Sequence, residues 1–256
     1  MFAQTWRVQW VNNNLYLLLP GIVWVIYVMD RFIDNKVSND ERRKTSARHD
    51  FHAYHWTWFK LAIFAVGGFC LITAFQLPLA IFFHGIMILL LVVIYFFLAI
   101  FEDYKLGHPQ LFKNAIAGLC FSYGVALGVF FFRPSSYWFE LYFTQEALLF
   151  AVLCTCNITA IDLWEASRAS NQPEEKSRYG FTLTAPLLIL VILSFTLMVI
   201  GDSYARPFYL AIMISAGLLK VLNYYRGKFS LNGLRALADA ALIVPVPIFW
   251  IYMQSV

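Results

Sequence analysis

Apolar residues run along this chain for the length of a membrane span at a time, with polar residues confined to short intervals between the runs. Eight such runs lie near Leu15–Ile33, Thr57–Phe75, Leu79–Phe101, Leu111–Phe132, Ala147–Glu165, Phe181–Ile200, Phe208–Tyr224 and Leu234–Met253. A helix needs about 20 residues to cross a hydrocarbon core, and each run reaches or approaches that length. None shows the period-two alternation of a barrel strand, so helices are the expected spanning form. Pro20, Pro186, Pro245 and Pro247 fall inside the runs and are expected to kink them. The expected fold is all-α, a polytopic membrane bundle of about eight transmembrane helices, with residues 1–256 forming one integral-membrane domain.

Composition agrees. Of the 256 residues 61% are hydrophobic and 13% charged, where a soluble domain carries roughly a quarter charged residues. The four cysteines, Cys70, Cys120, Cys154 and Cys156, all lie inside apolar runs, as small buried hydrophobes do, and not at the loop spacing of a disulfide or metal framework. The opening MFAQTWRVQWVNNN lacks the basic head, apolar core and cleavage site of a removable signal peptide.

Charge refines the picture by its distribution. Alternating spans place sixteen of the nineteen Lys and Arg on one side; Arg7, Arg133 and Arg206 fall on the other. The positive-inside rule assigns the basic side to the cytoplasm and both termini to the outside, in a cell (inner) membrane. Such a face suits anionic headgroups or phosphorylated ligands. Its basic residues sit in short loops beside the spans, which argues against nucleic acid.

Carboxylates near spans are costly and mark candidate sites. In IYVMDRFIDNKVSNDERRKTSARH, Asp30 and Asp34 stand at i and i+4 at the end of the first span and share a helical face. Asp162 and Glu165, at i and i+3, close the fifth. Glu102 and Asp103 close the third, where Lys105 offers a partner, and Asp239 lies about a turn inside the eighth, with Arg235 one turn before it as either an ion-pair partner or a site neighbour. Two acidic faces ringed by Arg and Lys suit Mg²⁺ bridging to a phosphorylated ligand, because that ion is usually shared between one or two carboxylates and substrate phosphates.

The segment DRFID…RKTSARH resembles the first signature of the UbiA-type intramembrane prenyltransferases, the superfamily of 4-hydroxybenzoate polyprenyltransferase and chlorophyll synthase. Asp30, Arg31 and Asp34 match the second half of its N-D-x-x-D-R-x-x-D, and Lys44, Thr45 and Arg48 match the K/R-T-x-x-R that follows. Ile26 and Tyr27 stand where the family has Asn and Asp. NITAIDLWEASRA is similar, more weakly, to the second acidic motif: Asn157, Ile161 and Glu165 keep its spacing, Asp162 is out of phase, and Lys176-Ser177 follows. The family has nine helices, so the resemblance implies a UbiA-like bundle with one N-terminal helix fewer.

The resemblance further implies a transferase that moves a prenyl group from a polyprenyl diphosphate to an acceptor. Asp30, Asp34, Asp162 and Glu165 would be catalytic and hold Mg²⁺. Arg31, Lys44, Arg48, Arg168 and Lys176 would bind the diphosphate, with Tyr27, Asn157 and Asp239 as pocket residues. The alternative is a non-catalytic UbiA-like subunit of a larger membrane complex, with partner subunits and a bound lipid, quinone or pigment. A transporter is disfavoured, because the acids gather at one face and not at the midplane. His49, His52 and His55, at spacings of three beside Tyr54 and Trp56, read as interfacial anchoring or as a metal face. His84 reads as a hydrogen-bonded packing residue.

Overall fold

The computed structural model describes residues 1–37, 55–101, 111–133, 138–170 and 172–255. Among them the chain is almost wholly helical, without a strand. Eight helical stretches are long and apolar enough to cross a membrane. The protein is an all-α, multi-pass membrane protein.

The helices are α1 (Phe2–Thr5), α2 (Asn13–Val37), α3 (Trp56–Phe75), α4 (Leu79–Phe101), α5 (Leu111–Phe130), α6 (Gln145–Ala169), α7 (Pro173–Ile200), α8 (Arg206–Tyr224), α9 (Leu231–Ile243) and α10 (Pro245–Met253). Short 3₁₀ turns occupy Trp138–Phe143 and Arg226–Lys228. The eight spans fall where the apolar runs place them, but several helices outrun their apolar stretch. The clearest is α7, which starts at Pro173 and not near Phe181. Proline fits its first turn, where the missing N–H has no helical partner, and Glu174 and Glu175 complement the dipole there. Pro20 and Pro186 are carried within unbroken helices. Pro245 does divide its span, opening α10 just after α9 ends.

Two compact units make up the chain, Val11–Tyr104 and Met1–Trp10 with Lys105–Val256. In the smaller unit α2 packs on α3 and α4. Gly21 permits the close approach of α2 to α3, since a Cβ there would come 2.6 Å from Cys70 Sγ. The Asn14 amide donates to Gln76 Oε1 at 2.9 Å, tying the start of α2 to the turn after α3. Much of α4 is bare: Leu79, Phe83, Leu89, Leu90, Val93 and Phe97 are all exposed. Lipid tails are as apolar as these side chains, so the exposure costs nothing in a bilayer.

The larger unit has the denser core. Helix α8 packs against α6, α7, α9 and α10, and α5 lies along α6. Leu187, Ala216, Leu219, Leu234 and Phe249 are completely buried. At the α5–α6 crossing, a Cβ on Gly118 would sit 2.7 Å from Ala151 O and 2.8 Å from Thr155 N, both backbone atoms that cannot swing away. Small residues at such crossings let helix backbones meet, which is a main source of association in lipid.

The N-terminal segment closes one end of this unit. The Phe2 ring lies 5.0 Å from that of Phe208 and 4.8 Å from that of Trp6, and Trp6 meets Phe130 edge-on at 5.8 Å. Arg7 follows with a φ of 57°, the one positive φ among the described non-glycine residues. That left-handed turn disfavours a side chain bearing Cβ by about 1 kcal/mol or more. A 2.7 Å ion pair to Asp202 holds it.

Replacing Gly118 with Leu is expected to destabilise the larger unit by about 1–3 kcal/mol through overpacking. Gly124→Ala on the same helix, where a Cβ meets nothing within 4 Å, is expected to leave the melting temperature in mild detergent unchanged.

Candidate functional site

Helices α6 and α8 end, and α5, α7 and α9 begin, at one end of the larger unit. Most of its polar side chains collect there. Asp162 and Glu165 project from the last turns of α6, as their spacing requires, but each already has a partner on another helix. Asn114 on α5 is 1% exposed and donates through Nδ2 to Asp162 Oδ2 at 2.7 Å and to Thr159 Oγ1 at 3.3 Å. Lys113 beside it is also buried. Arg235 on α9 donates through Nε and Nη2 to Glu165 Oε1, the Nε contact at 3.2 Å, and through Nη1 to Asn232 at 3.1 Å. Asp239 is exposed, and Arg235 turns to Glu165 and not to this same-helix neighbour.

A buried network lies one layer deeper. The Trp164 indole donates to Asn223 Oδ1 at 3.1 Å, and the Asn223 amide donates to Gly180 O at 3.0 Å and to Thr184 Oγ1 at 3.1 Å. One asparagine thereby joins α6, α7 and α8. Arg226 caps the arrangement, donating to Asn223 O and to Lys176 O, each at 3.0 Å. The absence of a side chain on Gly180 admits the guanidinium, which lies 2.7 Å from where its Cβ would stand. Arg168 donates to Phe229 O. The side chains of Lys176 and Arg178 project from this end exposed, and Lys228 lies 4.7 Å over the Tyr225 ring.

In the smaller unit Asp30 accepts a hydrogen bond from Tyr95 of α4, and the Arg31 guanidinium lies 5.2 Å from the ring centroid of the half-exposed Tyr27. Asp34 lies on α2, but its side chain is outside the described residues, as are Lys44, Arg48, His49, His52, Glu102 and Asp103. The expected metal ligands thus divide between the units: Asp30 and Asp34 on one, Asp162 and Glu165 on the other. Among the described residues no three His, Cys, Asp or Glu side chains come together as a metal site. Tyrosine, amide and guanidinium groups donate to Asp30, Asp162 and Glu165 respectively, and no step through an ion follows from these residues.

Asn157, midway along α6, is 7% exposed, and its Oδ1 is buried without a hydrogen-bond partner. His84 Nδ1 lies 2.7 Å from Ala80 O of its own helix. All four cysteines are free thiols, three of them buried. Asn114, Trp164 and Asn223 escape the sequence reading. Their signal is a polar group inside an apolar run, as in LFKNAIAG and LLKVLNYYRG, where a buried amide must find a partner. No family model, curated protein or solved structure matches the chain.

Asn223→Leu leaves the Trp164 N–H buried and unpaired and is expected to cost about 1–3 kcal/mol. Glu165→Gln, at a half-exposed ion pair, is expected to cost less than about 1 kcal/mol. Denaturation of both variants in mild detergent reads the difference.

Proposed function

We propose that this protein is a non-catalytic, membrane-embedded subunit of prenyltransferase-like layout that binds an anionic isoprenoid, its charged head against the basic end of the larger unit. One observation carries this reading. The described carboxylates that a transferase would need for metal, Asp30, Asp162 and Glu165, are each tied to a neighbouring helix, whereas Lys176, Arg178 and Lys228 at the same end as Asp162 and Glu165 stand exposed. Cations that have no carboxylate partner among the described residues attract phosphate through Coulomb forces that need no metal. The buried Asn157 Oδ1 adds an acceptor deep in the bundle, suited to a hydroxyl or amide on a lipid, quinone or pigment. Partner subunits in the membrane fit the same reading.

The second reading is Mg²⁺-dependent prenyl transfer, favoured by Asp30, Arg31 and Asp34 at the spacing of the prenyltransferase signature. Lys44 and Arg48, which match the rest of that signature, lie outside the described residues.

Geranylgeranyl diphosphate binding to purified protein in nanodiscs, with Mg²⁺ and then with EDTA, separates the two. Binding is expected to survive EDTA and to weaken about tenfold in a Lys176→Ala/Arg178→Ala/Lys228→Ala variant, roughly the effect of losing 1.4 kcal/mol of attraction. Diphosphate release from the same donor in native membranes is expected to be nil. Mg²⁺-dependent release that disappears in Asp30→Ala/Asp34→Ala would instead establish the transferase.

A further inference from the structure

At the other end of the larger unit, where α5 and α7 finish and α6 and α8 start, lies a cavity of about 650 Å³. That size is within the range of small-molecule sites. Two arginines and three carboxylates line it: Arg7, Arg133, Glu140, Glu146 and Asp202. Three of these charges are satisfied inside the protein. Arg7 pairs with Asp202 at 2.7 Å and lies 4.1 Å over the Tyr204 ring. Glu146 accepts from Tyr209 Oη at 3.0 Å and from Trp6 Nε1 at 3.4 Å.

Arg133 and Glu140 are different. The Arg133 guanidinium rests 5.4 Å from the Trp6 ring centroid and 5.2 Å from that of Phe130. Among the described residues it has no carboxylate partner, and Glu140 has neither hydrogen bond nor ion pair. Opposite charges therefore line one cavity without closing on each other. The cavity also takes in Thr5, which is 5% exposed and whose hydroxyl is buried without a partner. Two opposite charges left unpaired among the described residues on one hollow are the convergent polar groups of a ligand site.

Charge arithmetic selects the ligand class. Two arginines against three carboxylates leave the lining with a formal charge of −1, which opposes a simple anion. A simple cation would meet Arg133. A molecule carrying both charges satisfies both side chains, while Trp6 and Phe143 offer apolar walls. The cavity lies at the ends of four spans, the level of lipid headgroups.

We propose that this cavity binds a zwitterion, an ammonium joined to a phosphate or carboxylate, with Arg133 receiving the anion and Glu140 the ammonium. The same chemistry occurs in a free amino-phosphate and in a phosphatidylethanolamine headgroup.

The test is calorimetric titration of glycerophosphoethanolamine, a phosphodiester zwitterion without net charge, into the purified protein in phosphatidylglycerol nanodiscs. Saturable binding is expected. Arg133→Gln and Glu140→Gln are each expected to weaken it at least about tenfold, the loss of one charge-assisted partner. Inorganic phosphate and ethanolamine, titrated separately, are expected to bind at least about tenfold more weakly than the joined molecule. Arg133→Lys and Glu140→Asp keep the charges and are expected to retain binding, which separates loss of ligand recognition from loss of fold. Repeating the titration in nanodiscs containing phosphatidylethanolamine identifies the source. A blocked titration assigns the site to the headgroup and an unaffected one to a free zwitterion. Absence of saturation in phosphatidylglycerol, equal affinity for inorganic phosphate, or wild-type affinity in both Gln variants overturns the proposal.

Discussion

Water is missing from the hydrocarbon layer, and that absence governs how this chain can use its polar residues. A donor or acceptor inside a span is costly unless it finds a partner within the protein or a ligand. Helices satisfy the backbone, and threonines handle themselves: Thr73, Thr155, Thr182, Thr184 and Thr196 all donate to the carbonyl four residues earlier on their own helix. Asparagines cannot do this as readily, so Asn114 and Asn223 become the ties between helices. Dispersion alone would let smooth apolar helices slide or rotate. A hydrogen bond between specific atoms fixes both rotation and depth, and Asn223 does so for three helices at once.

The same constraint explains what could and could not be foreseen. Spans were legible, since length and apolar continuity are local properties. Helix ends were less so, because a helix such as α7 continues into a polar stretch that hydropathy reads as loop; Pro173 and the two glutamates after it were the better guide. The break at Pro245 was legible and the unbroken passage through Pro186 was not, since surrounding helices decide whether a freed carbonyl is tolerated. At the acidic end, spacing suggested one shared face for Asp162 and Glu165, but each turns to a different helix. Their partners, 48 and 70 residues away in sequence, follow only from the packing of α5 and α9 against α6. Arg235 shows the limit: a same-helix neighbour was available in Asp239, and a tertiary one prevailed.

Each end of the larger unit has its own electrostatic character. Where α6 and α8 end, an amide and a guanidinium bind Asp162 and Glu165, while Lys176, Arg178 and Lys228 stand exposed beside Glu174 and Asp239. Where α6 and α8 begin, a buried N-terminal segment brings arginine among three carboxylates around a hollow. The unusual turn at Arg7 belongs to this second arrangement, because the chain must reverse there for Trp6 to reach the core while Arg7 reaches Asp202.

Burial also differs sharply from span to span. In α4 about a tenth of the spanning window is buried in protein, and in α5 and α8 half is. A segment like α4 is content in lipid as soon as it leaves the ribosome. Helices α5 and α8 carry Lys113 with Asn114 and Lys220 with Asn223, and are poor solitary guests. Synthesis order relieves them: Trp164, Gly180 and Thr184 have already been made when Asn223 arrives, and Asn114 waits only for the next helix to bring Asp162. The chain is translated in an order that supplies each difficult span with its partners promptly, so a permuted chain with the same contacts would meet its hardest step at biogenesis.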